Sequence, residues 1–404
     1  MKKSFSDYIQ EIKENLVPDK IKFDCRYYTG YKPCGKQDLC VECGYYSPQG
    51  KRIVIIKLGA LGDVLRTTPL LRSLKKHFAP CHITWVTNPS AIPLFEKNTF
   101  VDRVFTFDPR HLLILTTEIF DTLYCFEKDA EALALAEKIQ AKRKIGFSIT
   151  PYGTPSIYNA ESIYALQLSL NNPMKFKYNK KSYQEVTFEM AGLEYQGEEY
   201  ILEPTQEAIK FADELAKRQE ISSQAIKIGI NTGCGGVFKT KQWTVSGFCE
   251  LISKLGENSD IQCLLLGGER EREFNSEILK YWKINKIVKN RNHSYPFIVD
   301  TGCDNSLENF IGIVNLCDVV VTSDSLAMHI AIGLQKEVLA FFGPTCAQEI
   351  DLSGRGTKIT TDFDCSPCYL NTCDKKPTCM QAMRSDDLLA AVLSLIQKIP
   401  NRDK

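Results

Sequence analysis

One candidate site begins where the apolar run 53–58 ends. Gly59 and Gly62 follow that run, and Asp63 precedes an amphipathic stretch at 64–77. Glycine lets backbone approach a ligand closely, and the unpaired N–H groups of a helix N-terminus attract negative groups. The pattern predicts a strand, a ligand-binding loop and a helix with Asp63 as its N-cap. An ordinary turn in which Asp63 only caps the helix is the alternative.

A second loop carries groups suited to a diphosphate. After a predicted strand at 226–231 come Thr232 and Gly233, which offer a hydroxyl and backbone donors, and then Lys239 and Lys241. Backbone N–H groups and lysines together neutralise phosphate oxygens. A solvated loop without a ligand explains the same composition.

A third loop joins a predicted strand at 318–322 to a helix. Asp324 and Ser325 lie at its start and His329 one turn inside the helix. A phosphate at this helix N-terminus would explain them, and so would capping for the first two and packing for the histidine. Glu269, after the predicted strand 261–266, is a candidate for ribose hydroxyls or a partner of the helix dipole.

Cysteines form two groups of four among the sixteen in the chain. The first group has intervals of eight, five and two residues: Cys25, Cys34, Cys40 and Cys43. The second has intervals of two, four and five: Cys365, Cys368, Cys373 and Cys379. Four thiols at such spacing suit tetrahedral zinc or iron, and we predict a structural metal ion at these groups, as two sites or one shared site.

The elements that must position these loops alternate between strand and helix from Lys51 onward. The predicted strands are 53–58, 82–87, 103–107, 122–126, 144–147, 226–231, 261–266, 318–322 and 338–342. The predicted helices include 130–140, 206–219, 245–255, 271–282, 307–316 and 388–399. This alternation predicts parallel sheets wound with helices, whose ligands bind beyond the carboxyl ends of the strands.

Length and charge narrow the class of protein. A chain of 404 residues is long for one core, and its net charge of +1 gives no electrostatic case for nucleic acid binding. No run reaches the length of a membrane span and the N-terminus lacks the apolar core of a signal peptide, so we expect a cytoplasmic protein. We predict a cysteine-rich segment at 1–50, one α/β domain at 51–200 and a second at 201–404, joined by a linker near 198–204.

Four motifs in order resemble the ADP-heptose heptosyltransferases of glycosyltransferase family 9. They are Ile-Lys-Leu-Gly-Ala-Leu-Gly-Asp (56–63), Asn-Thr-Gly with Lys-Thr-Lys-Gln-Trp (231–243), Thr-Ser-Asp-Ser-Leu-Ala-Met-His (322–329) and Phe-Phe-Gly-Pro-Thr (341–345). The resemblance implies a GT-B fold, with two Rossmann-like domains facing a central cleft. It also implies inverting transfer of heptose from ADP-heptose.

The resemblance also implies roles for single residues. Asp63 matches the general base, Lys241 the lysine at the donor phosphates, and Asp324, Ser325 and His329 the donor loop. Leu326 stands where the family pattern has glycine. In this scheme the protein neutralises the diphosphate and transfer needs no cofactor, while Gly59–Asp63 forms the acceptor side.

Three interpretations of function follow. The leading one is transfer of heptose to a lipid-linked saccharide of the lipopolysaccharide core type, with the enzyme peripheral at the inner face of the cytoplasmic membrane. The second is transfer to a protein acceptor. The third is a non-enzymatic, metal- or redox-responsive module that binds a nucleotide sugar, which the eight clustered cysteines suggest. The sequence leaves the oligomeric state open.

Overall fold

Two parallel sheets organise the chain. The computed structural model describes residues 4–236, 238–285 and 295–399. The first sheet has the strand order β3-β2-β1-β4-β5-β6, in which β6 alone is antiparallel to its neighbour. Its strands are β1 (Lys51–Ile56), β2 (Cys81–Thr87), β3 (Arg103–Thr106), β4 (Ile119–Cys125), β5 (Gln140–Ile149) and β6 (Pro155–Ile157).

The second sheet repeats this plan with six parallel strands in the order β12-β11-β10-β7-β8-β9. Its strands are β7 (Ile226–Asn231), β8 (Ile261–Leu266), β9 (Ile298–Asp300), β10 (Val319–Ser323), β11 (Glu337–Phe342) and β12 (Gly356–Thr360). The predicted α/β class is confirmed, and we call each sheet with its helices the first unit and the second unit.

Helices connect the strands and cover both sheets. In the N-terminal segment and first unit they are α1 (Phe5–Asn15), α2 (Leu61–Thr67), α3 (Leu70–Phe78), α4 (Pro109–Thr117), α5 (Ala130–Lys138), α6 (Ile163–Leu170) and α7 (Tyr183–Ala191). In the second unit they are α8 (Gln206–Arg218), α9 (Val245–Leu255), α10 (Arg272–Asn285), α11 (Leu307–Leu316), α12 (Leu326–Gly333) and α13 (Ser385–Ile396). A π-helical turn, Met174–Tyr178, lies between α6 and α7.

Burial on both faces explains the near-continuous apolar strands. In β10, Val319 and Val321 pack into the apolar cluster on one face of the second sheet, whereas Val320 packs into the cluster on the other face. That second cluster continues into the first unit. Successive strand side chains point to opposite faces, so a strand covered on both sides must be apolar throughout.

The predicted helix at 64–77 is two helices. Pro69 separates α2 from α3, because its ring has no N–H to continue the hydrogen-bond ladder. The Thr68 hydroxyl instead donates to the Leu65 carbonyl at 2.6 Å and accepts from the Ile201 N–H at 2.9 Å.

The predicted linker near 198–204 is a buried connection. Tyr200, Ile201 and Leu202 are each less than 7% exposed and join the apolar cluster shared by the two units. The chain therefore passes between the units inside the apolar core.

The N-terminal segment rests on the first unit. The Arg26 guanidinium forms an ion pair with Asp102 and donates to the Cys81 carbonyl at 2.5 Å. Among the described residues, no helix is both long and apolar enough to cross a bilayer.

Candidate active site

Asp63 lies in the first turn of α2, which follows β1 after a loop of four residues. The prediction that it caps this helix is wrong, because α2 starts at Leu61 with Ala60 as its N-cap. Its carboxylate instead forms ion pairs with Arg66 at 2.8 Å through Oδ1 and with Lys57 at 3.8 Å through Oδ2. Because the side chain remains 34% exposed, one oxygen can meet a ligand while the other is held.

Opposing effects set the charge of Asp63. Burial raises the pKa of its carboxyl, but the charges of Arg66, Lys57 and His329 outweigh burial and lower that pKa below its ordinary value. Asp63 is therefore ionised at neutral pH and able to accept a proton.

A buried lysine and glutamate support the loop that carries Asp63. Lys57, 4% exposed, is 3.1 Å from the Glu127 carboxylate, and the same Glu127 oxygen accepts from the N–H groups of Leu58 at 2.7 Å and Gly59 at 3.0 Å. Burial raises the pKa of Glu127 and is opposed by the Lys57 charge. Through these hydrogen bonds the Lys57–Glu127 pair fixes the start of the Gly59–Asp63 turn.

Arg66 links the two units. Its guanidinium lies 3.8 Å from Glu349 of the second unit and 3.8 Å above the ring of Tyr183. Glu349 also lies 3.9 Å from Lys175. These contacts place the base candidate at the boundary between the units.

A cavity of about 640 Å³ opens beside Asp63 between the units; we call it the central cavity. Its positive lining side chains are Lys57, Arg66, Lys128, Lys175 and Lys181, and its negative ones are Asp63, Glu127, Asp129 and Glu349. Lys128 donates to Ser169 and lies 4.8 Å from the centre of the Phe147 ring. Burial of its ammonium group, followed by the charges of Lys175 and Lys57, lowers the pKa of Lys128 to about 8.

The second unit gathers the predicted donor residues at the carboxyl ends of β7 and β10. Lys241 donates to the Asp324 carbonyl at 2.6 Å and lies 3.6 Å from its carboxylate. Asn231 donates to the Gly233 carbonyl at 2.8 Å and to the Ser325 hydroxyl at 3.1 Å. The structure thus brings Gly233, Lys241, Asp324 and Ser325 together, with Asn231 as the amide that joins their loops.

Three other predicted donor residues lie differently. Thr232 is 2% exposed, and its hydroxyl donates to Asn275 at 2.5 Å. Glu269 is exposed, and Glu271 instead packs on the loop: a Cβ at Gly233 would lie 2.8 Å from its carboxyl carbon. Lys239 lines a cavity shared with the second cysteine group.

His329 sits between the units. It is 5% exposed, its Nδ1 lies 3.2 Å from the Tyr200 hydroxyl, and a Cβ at Gly62 would overlap its ring. Gly62 is therefore needed for close packing of α2 against α12. Burial, followed by the charge of Arg66, lowers the pKa of His329 to about 4, and the charges of Asp63, Asp324 and Lys241 all act on it.

We expect His329 to make folding acid-sensitive. Its pKa of about 4 lies below its ordinary value of 6.5, so the unfolded chain takes up a proton first as the pH falls. This contribution to stability is present above pH 6.5 and is lost toward pH 4. Between pH 7 and pH 5 the free energy of unfolding should fall by about 2 kcal/mol more in the wild type than in His329→Gln, measured by urea titration. Equal losses in both proteins would contradict this.

The two cysteine groups differ in arrangement. All four cysteines of the second group line one cavity of about 290 Å³. In the first group, a turn hydrogen bond of 3.4 Å joins the Cys43 N–H to the Cys40 carbonyl, and Cys25 pairs with Pro48 in a β-bridge. Over residues 4–236, 238–285 and 295–399, no three cysteine, histidine or acidic side chains converge closely enough to hold a metal ion. The predicted metal therefore stays a prediction.

Comparison with known proteins identifies the family. The model described as "Glycosyltransferase family 9 (heptosyltransferase)" matches residues 168–378, just over half of the chain. This chain belongs to glycosyltransferase family 9. The predicted family is confirmed, and with it the prediction of a glycosyltransferase; the non-enzymatic interpretation finds no support.

Two curated relatives of this family 9 chain are named as heptosyltransferases. Lipopolysaccharide heptosyltransferase 1 of Campylobacter coli is 22% identical over 85% of this chain and 98% of its own length. Lipooligosaccharide heptosyltransferase 2 of Campylobacter jejuni is 26% identical, but the match covers 42% of this chain and about half (51%) of that relative.

Solved structures confirm the GT-B architecture. The ADP-heptose lipopolysaccharide heptosyltransferase II of E. coli has a TM-score of 0.62 at 16% identity and covers 86% of this chain and 99% of its own. The iron-containing dodecameric glycosyltransferase TibC of enterotoxigenic E. coli has a TM-score of 0.51 at 12% identity, covering 86% and 77%. At such identities the likeness shows the fold alone.

Sequence reasoning missed several residues of this site. Lys57 and Arg66 pair with Asp63, Glu127 pairs with Lys57, Asn231 joins the donor loops, and Glu271 packs on the loop at Gly233. Lys57 gave one signal: a lysine inside an apolar strand needs a buried partner. The partner itself lies seventy residues away in the sequence and had no local mark.

Proposed function

We propose that this enzyme transfers heptose from ADP-heptose to an anionic saccharide acceptor of the lipopolysaccharide core type, with inversion at the transferred carbon. One observation supports the proposal: Gly62, next to Asp63 in α2, packs so closely on His329 of α12 that a Cβ at Gly62 would lie 2.4 Å from that ring, and α12 begins directly after Asp324 and Ser325. The base candidate and the diphosphate candidates therefore lie near one contact between the two units, which suits a displacement between acceptor and donor.

Each side chain has a defined task in this reaction. Arg66 holds Oδ1 of Asp63, which lines the central cavity, and Oδ2, 3.8 Å from Lys57, takes the proton of the acceptor hydroxyl. That hydroxyl oxygen forms the new glycosidic bond as the bond from the sugar to the ADP oxygen breaks. Lys241 and the backbone N–H groups at the start of α12 stabilise the charge on departing ADP. In this scheme the protein alone neutralises the diphosphate.

The acceptor class is supported by the charges of the central cavity. Lys128 donates to a serine, and Lys175 lies 3.9 Å from its carboxylate partner. Both lysines line the central cavity, where they could bind a phosphate or carboxylate on the acceptor. A protein acceptor is the alternative, and a panel of glycan and protein acceptors distinguishes the two.

The donor is tested with a panel of nucleotide sugars, with transfer or hydrolysis measured by mass spectrometry. We expect ADP-heptose to be consumed in preference to the others; a folded protein that neither binds nor consumes it would refute the proposal. Lys241→Met should weaken ADP binding about 10- to 100-fold by calorimetry, since a charge-assisted hydrogen bond contributes about 1.5–3 kcal/mol. Lys210→Met, on the exposed face of α8, should bind ADP like the wild type.

A membrane-facing surface is proposed for the segment 162–184. It contains four lysines and no acidic residue, and Leu170 and Tyr178 are 76% and 75% exposed. Basic and apolar groups together favour an anionic bilayer surface, and this surface borders the central cavity. Sedimentation with phosphatidylglycerol vesicles should fall in Lys177→Glu/Lys180→Glu and persist in Lys210→Glu; identical sedimentation would refute it.

A structural zinc or iron ion is proposed for the second cysteine group. The donor set is chemically suitable, the four thiols surround one cavity, and the neighbour TibC is described as iron-containing. Elemental analysis should find about one metal ion per chain at this group, lost in Cys365→Ser/Cys368→Ser but retained in Cys346→Ser. Metal-free wild type would contradict this. The first group stays a second, weaker candidate, to be tested by Cys40→Ser/Cys43→Ser.

A further inference from the structure

Tyr369 reaches from the second cysteine group into the boundary between the units. It lies in the four-cysteine loop, residues 365–379, and lines the central cavity. Its ring stacks on Phe176 of the first unit, with centroids 5.3 Å apart and planes 8° apart. Lys175 lies 4.3 Å from the centre of the same ring.

The backbone around Tyr369 is firmly held. The N–H groups of Cys368 and Tyr369 donate to the Pro344 carbonyl at 3.0 and 2.9 Å, and the Tyr369 hydroxyl accepts from the Cys346 N–H at 3.3 Å. Tyr369 adopts a φ of 52°, in the left-handed region that residues other than glycine rarely occupy. Surrounding structure must impose such a conformation.

The same loop also contacts the donor side. The Thr240 hydroxyl donates to the Leu370 carbonyl at 2.6 Å, and Phe238 packs edge-on against Tyr369 with centroids 5.7 Å apart. Trp243 and Lys239 line the cavity that the four cysteines surround. One loop therefore lies against both the segment that carries Lys241 and the wall of the central cavity.

We propose that Tyr369 is a positioning residue: the four-cysteine loop holds its ring against Met174–Tyr178. An intact cysteine cluster therefore keeps this part of the central cavity wall in a fixed conformation. That this wall binds the acceptor rests on the proposed function, whereas the coupling between the cysteine cluster and Met174–Tyr178 does not. The coupling makes the cysteine cluster a determinant of substrate binding, beyond a role in folding.

Hydrogen–deuterium exchange of the full-length protein, without donor or acceptor, tests the contact. Amides in 174–179 should exchange about tenfold faster in Tyr369→Ala, because the stacking and the cation–π contact are lost. Tyr369→Phe keeps the ring and should restore slow exchange. Leu370→Ala, whose side chain is 57% exposed, is the matched control and should behave as wild type. Unchanged exchange in Tyr369→Ala overturns the proposal.

A second arm tests the cysteines. Cys365→Ser/Cys373→Ser should accelerate exchange in 174–179 as Tyr369→Ala does, while Cys34→Ser, in the N-terminal segment, should not. Wild-type exchange in the double variant overturns the coupling. Should Tyr369→Ala fail to fold, Phe176→Leu removes the same stacking contact from the first unit. Faster exchange in 174–179 is again the expected result, and unchanged exchange would overturn the proposal. A protein that shows these changes and yet consumes no ADP-heptose would refute the proposed function and leave the coupling standing.

Discussion

Asp63→Asn should lower the rate of heptose transfer by about 10²- to 10⁴-fold, the usual contribution of a general base. Asparagine keeps the size of the side chain and one acceptor for the Arg66 guanidinium, but its amide cannot take a proton from the acceptor hydroxyl. The expected loss therefore lies in turnover. ADP affinity, measured by calorimetry, should change less than about threefold, a difference of roughly 0.7 kcal/mol.

The control for Asp63 is Asp213→Asn, an exposed aspartate on α8 in the second unit. It should transfer at the wild-type rate. If Asp63→Asn also retained the wild-type rate, Asp63 would not be the base. If it lost ADP binding in parallel with turnover, its main role would be to hold the boundary between the units.

The pH dependence of transfer should reflect the lowered pKa of Asp63. Arg66 and Lys57 keep its carboxylate ionised, so the base form persists below the ordinary titration range of an aspartate. A base held ionised in this way is weak, and Brønsted behaviour limits what it contributes. The position of Asp63 compensates for this weakness, because the residue lines the central cavity while Arg66 holds its Oδ1.

Strand and helix periodicity allowed most of the fold to be predicted from the sequence. The strands Ile226–Asn231 and Ile261–Leu266 and the helix Leu307–Leu316 have the predicted bounds. Short or half-exposed elements had no such signal: β9 has three residues, and β12 is at most half-buried. The periodicity of 64–77 was correct for a helix, but Pro69 divides it.

In the candidate site, contacts within one unit could be predicted from the sequence, whereas contacts between the units could not. Loops that follow strands in a parallel sheet meet at one edge, so Lys241 and Asp324 could be expected near one another. Contacts between the units have no local signal, because they depend on how α2 meets α12. The close packing of Gly62 on the His329 ring and the pairing of Arg66 with Glu349 are contacts of this kind.

Glu127→Ala should lower the free energy of unfolding by about 3–5 kcal/mol, the usual cost of leaving a buried charge unpaired. Lys57 is 4% exposed and 3.1 Å from Glu127, while its other carboxylate partner, Asp63, is 3.8 Å away. The same substitution frees the N–H groups of Leu58 and Gly59. Urea unfolding at pH 7 measures the loss.

Two further variants separate charge from loop support. Lys57→Met/Glu127→Ala removes the unpaired ammonium as well, and we expect it to recover part of the stability lost in Glu127→Ala while transfer stays impaired, because the Gly59–Asp63 turn still lacks its acceptor. Glu131→Ala, exposed in the first turn of α5, should unfold like the wild type. A Glu127→Ala protein within about 1 kcal/mol of the wild type would show that water or Asp63 satisfies Lys57. The buried pair would then not be what positions the base.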